Sequence, residues 1–92
     1  MQRRRKGKFS SEEAFAKVLR EARLERGLSQ EALGFESNYH RTYIGMLERG
    51  LMNPTLRTLL SVASALDVTP GELVQRTSDL LGAGWKQDRK SI

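Results

Sequence analysis

Asn38 constrains this chain more than any other residue, because it stands between two short helix-periodic stretches inside LSQEALGFESNYHRTYIGMLERGLMNP, residues 28–54. Asn is among the few residues that enter the left-handed backbone region cheaply, so a sharp reversal between two helices has a mechanism here. Before the turn, Ser29 is placed to accept a hydrogen bond from an orphan backbone N–H, with Gln30 and Glu31 filling the first turn of a helix expected over about 29–36. Gly34 in the middle of that helix costs roughly 1 kcal/mol against Ala, a cost tolerated where another backbone passes closely. A second helix crossing at that point supplies the reason.

The second helix is expected over about 40–49, from His40 to Arg49. At about 100° per residue its faces follow by arithmetic. With Ile44 inward, Leu47 lies about 60° to one side and Glu48 about 40° to the other. Thr42, Gly45, Met46 and Arg49 fall on the opposite face, with Arg41 and Tyr43 on the flanks. That face suits a groove of duplex DNA. Gly45 keeps it low enough for the backbone to approach base edges, and Arg41 and Arg49 carry donors suited to guanine or phosphate.

Taken together, Leu28-Ser29-Gln30, the small residue at 34, Tyr43-Ile44, Glu48-Arg49-Gly50, Asn53-Pro54 and the Leu-rich helix after them resemble the Xre family of helix-turn-helix regulators, the phage repressor and Cro type. The likeness covers most of the chain. It implies an all-α, compact five-helix bundle in which helices 2 and 3 form the helix-turn-helix. It also implies roles: Gln30 holds a phosphate and supports the recognition helix, Arg41, Thr42 and Met46 face base edges, and Tyr43, Arg49 and Asn53 touch the DNA backbone. Arg23 would pair with Glu48, which agrees with the partly inward direction of Glu48 and its need for a charged partner. Two residues depart from the family pattern, Asn38 where Gly is favoured and Phe35 where a polar residue is. Phe35 either covers the next helix or contacts a partner. Phe35 with Ser37-Asn38 and His40-Arg41-Thr42-Tyr43 also resembles the small controller proteins of restriction–modification systems.

The net charge of +5 becomes informative once located: residues 1–8 hold five basic side chains and no acid, and residues 9–92 hold eleven of each sign. Arg3, Arg4, Arg5, Lys6 and Lys8 therefore read either as a solubilising tail or, as we prefer, as a flexible arm lying along phosphates or entering a minor groove. No apolar run follows the arginines, so no export signal is expected, and no segment approaches the roughly 20 apolar residues of a membrane span. With no Cys and one His, neither a disulfide framework nor a zinc centre is expected, and a cytoplasmic location follows. No cofactor or metal is implied. No phosphate-cradling loop or nucleophile–base set points to an enzyme.

Elsewhere, Ser10 and Glu13 stand at capping-box spacing before a helix expected over about 11–26, with Phe15, Val18, Leu19 and Ala22 as its buried stripe and Gly27 as its stop. Leu56, Leu59, Leu60, Ala63 and Leu66 give the buried stripe of a fourth helix over about 55–66. Thr69-Pro70-Gly71-Glu72 starts a fifth, whose Leu73 and Val74 are expected to complete the core. The expected organisation is an arm over 1–8, a DNA-binding domain over 9–74 and a C-terminal extension or tail over 75–92. Trp85 would anchor a dimer interface or fold back on its own core. His40 would meet DNA or serve as a polar cap, the reading we favour. The function expected is a transcriptional regulator, a homodimer on a roughly palindromic double-stranded DNA operator, with half-sites about 34 Å apart. The competing class is an antitoxin-like module whose DNA binding accompanies a protein partner through Phe35 or Trp85.

Overall fold

The computed structural model describes residues 9–84 and residue 86, so the basic arm and Trp85 lie outside the described residues. Among the described residues five α-helices follow one another: α1 (Ser11–Glu25), α2 (Gln30–Ser37), α3 (Arg41–Glu48), α4 (Leu56–Leu66) and α5 (Pro70–Leu81), with a short 3₁₀ turn at Gly82–Gly84. The described residues contain no strand.

Each helix begins where the sequence supplies a cap. Ser10 and Glu13 form the full capping box, the Ser10 hydroxyl accepting the Glu13 N–H at 3.1 Å and the Glu13 carboxylate accepting the Ser10 N–H at 2.9 Å. Ser29, Thr55 and Thr69 accept the N–H groups of Ala32, Thr58 and Glu72, each at 3.0 Å. Side-chain caps of this kind satisfy donors that the first helical turn leaves unpaired.

The core joins Phe15, Val18, Leu19 and Ala22 of α1 to Leu33, Ile44, Leu47, Val62, Ala63, Ala65, Leu66 and Leu73. Ala63 and Leu66 of α4 are buried and Leu59 packs partly against the core, as expected. Leu56 and Leu60 are instead 72% and 50% exposed, and Thr58, Val62 and Ala65 join the inward stripe. The reason is polar: Thr58, 2% exposed, is drawn inward because its hydroxyl finds partners on Thr55, Tyr39 and Tyr43. Val74 is likewise half exposed while Leu73 is fully buried, so one residue of the expected pair completes the core and the other faces out. Phe35 is 86% exposed and does not cover α3.

The last helix continues to Leu81, itself buried, and Leu80 packs partly against the core, so the C-terminal extension begins as part of α5. Arg76 ties this helix to the first, with carboxylates of Glu21, Glu25 and Glu72 within 3.8, 3.3 and 3.8 Å. Among the described residues no helix is long and apolar enough to cross a membrane.

Candidate nucleic-acid interface

The turn that sets α3 against α2 is built by two residues. Asn38 adopts the left-handed conformation with φ 68° and ψ 39°, and its N–H reaches back to the carbonyl of Phe35. Gly34 lets the chain close over it: a Cβ there would stand 2.5 Å from the Tyr39 carbonyl oxygen and 3.2 Å from the Arg41 nitrogen. No side-chain rearrangement relieves such a clash, because the atoms met are backbone.

The far end of α3 is held by charge. Arg23 donates from Nε to Glu48 Oε2 at 2.6 Å and from Nη2 to Glu48 Oε1 at 2.9 Å, a two-pronged pairing. Its Nη1 donates to the Leu28 carbonyl at 2.8 Å, and Gln30 donates from Nε2 to Glu48 Oε1 at 3.0 Å. The two charged side chains are 9% and 3% exposed, so the guanidinium and carboxylate are taken from water only because each is matched. The hydrogen bond to Glu48 raises the Arg23 pKa above its ordinary value, burial pulls it down, and the nearby carboxylate charge raises it again. Four residues from α1, the α1–α2 turn, α2 and α3 thereby meet at one point.

A third constraint is a hydroxyl cluster between α3 and α4. The rings of Tyr39 and Tyr43 lie 5.0 Å apart, and Thr58 Oγ1 is within 3.2 Å of Tyr43 OH, 2.9 Å of Thr55 Oγ1 and 3.0 Å of Tyr39 OH. A hydroxyl has one proton and two lone pairs. Thr58 donates to Tyr39, so it accepts from both Tyr43 and Thr55. The Tyr43 proton is thus spent inside the fold.

These supports leave one face of α3 open. Arg41, Thr42, Gly45 and Arg49, with Gln30 from α2, line a single hollow with no acid among them. Arg41, Thr42 and Arg49 are exposed and Met46 is half-buried beside them. Gly45 forms the low floor, its missing Cβ direction facing Gln30 Oε1 at 3.6 Å.

Tyr43, Asn53 and Gln30 each have contacts of their own within the fold. Tyr43 turns its hydroxyl to Thr58, and Asn53 lines a separate, mostly apolar hollow with Ser11, Phe15, Pro54, Leu59, Val74 and Thr77. Gln30 spends an amide hydrogen on Glu48 while still bordering the α3 hollow. Sequence reasoning misses the inward roles of Thr58 and Tyr39. A Thr three residues after a capping Thr, on an otherwise apolar stripe, is the signal that points to them.

Comparison with known proteins places this geometry. A family model described as helix-turn-helix matches residues 19–73. The control protein C.BamHI of Bacillus amyloliquefaciens is 40% identical over 65 residues, covering 70% of this chain and 80% of that protein. The uncharacterized HTH-type transcriptional regulator y4dJ of Sinorhizobium fredii is 44% identical over 57 residues, 62% of this chain and 74% of that protein. Among solved structures, the restriction-modification controller protein C.AhdI from Aeromonas hydrophila superposes with a TM-score of 0.68 at 45% identity, covering 71% of this chain and 98% of that one.

Proposed function

The chain belongs to the Xre-type helix-turn-helix family, and from that premise we propose that it is a sequence-specific, double-stranded DNA-binding transcriptional regulator of the controller kind, working in the cytoplasm. The observation that carries the reading is the hollow of Gln30, Arg41, Thr42, Gly45 and Arg49, a donor-rich surface with a glycine floor on a rigidly held α3. Laid in a major groove, α3 brings Arg41, Thr42 and Met46 to base edges and Arg49 to a phosphate, and a bidentate Arg41–guanine pair contributes about 1–3 kcal/mol of discrimination. Asn53, on the loop before α4, and the basic residues Arg3, Arg4, Arg5, Lys6 and Lys8 add backbone contacts. Tyr43 acts through Thr58 to hold α3 in place.

The regulator works as a homodimer on a roughly palindromic operator, placing two copies of α3 in successive major grooves about 34 Å apart. Support for a second copy comes from α4, which bares Leu56 and Leu60, and from the apolar hollow where Leu59 and Val74 meet Phe15 and Pro54. A small domain gains from covering such a face. A second reading, a protein partner bound alongside DNA, is favoured by Phe35, whose ring is 86% exposed. A second polypeptide that copurifies with the parent and is absent with Phe35→Ser supports it.

Selection from random duplexes, followed by binding across a salt series, tests the main reading. The expected result is a selected, two-fold symmetric sequence whose preference is flattened by Arg41→Ala. Removing residues 1–8 weakens binding to every duplex and shallows the salt slope by at most about 0.9 for each phosphate that the arm neutralised. Equal affinity for all duplexes overturns the reading.

A further inference from the structure

We propose that His40 is an additional DNA contact, and that the hydrogen bond by which it caps α3 determines which of its atoms does the touching. The inference rests on the duplex-binding reading above. His40 Nδ1 lies 3.0 Å from the Thr42 backbone nitrogen and caps the helix from the extended conformation, φ −68° and ψ 145°. A backbone amide only donates, so Nδ1 is the acceptor and the neutral ring carries its single proton on Nε2.

The usual caps, Ser, Thr, Asp and Asn, spend their short side chains on the cap itself. Imidazole differs because it is long and two-ended. Using Nδ1 inward turns Nε2–H outward as an oriented donor, and Nε2 of the exposed His40 has no partner among the described residues. The cap and the contact are then one device: the first fixes the tautomer that the second requires.

Position supplies the acceptor. His40 lines a hollow with Glu31, Phe35, Tyr39 and Arg41, and Arg41 also lines the α3 hollow with Gln30, Thr42, Gly45 and Arg49. The histidine donor therefore stands one residue before the first side chain assigned to base edges, on a surface continuous with it. Because the cap uses Nδ1 as an acceptor, the contact is that of a neutral donor and not of an added cation. Its target is an acceptor atom of the duplex, either a backbone phosphate oxygen or the N7 of a purine.

Two cap-competent replacements separate capping from contact: His40→Ser and His40→Thr keep a cap oxygen and remove the far-side N–H. Both variants are to be melted and then titrated at neutral pH against the duplex selected by the parent and against mixed-sequence duplex. Melting temperatures at or above the parent's, with affinity for the selected duplex lowered roughly three- to tenfold and the salt slope unchanged, support the proposal. A loss of equal size on both duplexes puts the acceptor on the backbone. A loss seen only with the selected duplex, and reproduced for the parent by 7-deazaguanine or 7-deazaadenine at one position, puts it on a purine edge. Parent-like affinity in either cap-competent variant reduces His40 to a cap and overturns the proposal. Failure of the parent itself to prefer any duplex is a different result, visible before any variant is made, and it sinks the DNA-binding reading instead.

Discussion

The α2–α3 half and the α4–α5 half of this molecule solve opposite problems. In the first, polar and backbone geometry dictates where every element goes: a left-handed Asn38, a Gly34 that a methyl group would wreck, and Arg23, Leu28, Gln30 and Glu48 joined at one point. In the second, apolar residues are plentiful enough to face two ways, with Val62, Ala63, Leu66 and Leu73 inward and Leu56, Leu60 and Val74 outward. The contrast shows that the reading half is specified by few residues that cannot be exchanged, and the other half by a pattern with apolar surface left over.

The comparison breaks most severely at Glu48. Glu48→Leu leaves the Arg23 guanidinium buried without its carboxylate, and removing one member of such a pair costs about 3–5 kcal/mol. Urea unfolding measures it, and the double variant Arg23→Met/Glu48→Leu should recover much of the loss, since no charge is then stranded. A single variant as stable as the parent would mean that the pair is not what locks α3 to α1. Next comes Gly34→Ala, where the 2.5 Å approach to the Tyr39 carbonyl makes the added methyl an overpacking strain of about 1–3 kcal/mol. A stability gain there would show that the turn can open without cost.

How much of the fold and site is legible in the sequence follows the same divide. The caps at Ser10 and Ser29, the αL residue at Asn38, the reason for Gly34 and the inward lean of Glu48 all rest on local chemistry, so residue type and spacing suffice. The α4 stripe is read correctly at Ala63 and Leu66 and misread at Leu56 and Leu60, because periodicity marks a face without saying which of two apolar faces is buried. Leu56 and Leu60 repeat at four residues just as Val62 and Leu66 do, and the choice is made by Thr58, whose hydroxyl partners Tyr39 and Tyr43 lie 19 and 15 residues away in the chain. Tyr43 escapes sequence reading for the same reason. Its flank position on α3 is readable, but the long-range partner that consumes its proton is not.

A smaller effect sharpens the comparison from inside α3. Gly45, unlike Gly34, has only the Gln30 side-chain oxygen at 3.6 Å in the direction of a Cβ, which is ordinary contact. Gly45→Ala should therefore stabilise the fold by about 0.5–1 kcal/mol through helix propensity. Its methyl group also raises the floor of the DNA-facing hollow, so DNA affinity should fall as thermal stability rises. Parallel changes in both would place the reading surface elsewhere on α3.

The smallest effect on stability is expected on the outer face of α4, and it carries the most information about assembly. Leu56→Lys with Leu60→Lys replaces side chains that contribute little to the core, so the unfolding free energy of the monomer should change by no more than about 0.5 kcal/mol per site. Ala63→Lys, at a fully buried position of the same helix, should by contrast unfold the domain. If the outer leucines hold a second copy, sedimentation should show a parent dimer and a monomeric double variant at the same concentration. The variant should then bind a single half-site as the parent subunit does, while losing most of its affinity for the two-fold operator, because the link between half-sites is gone. A double variant that still sediments as a dimer would assign the pairing to another surface, and one that melts early would show that these leucines belong to the core after all.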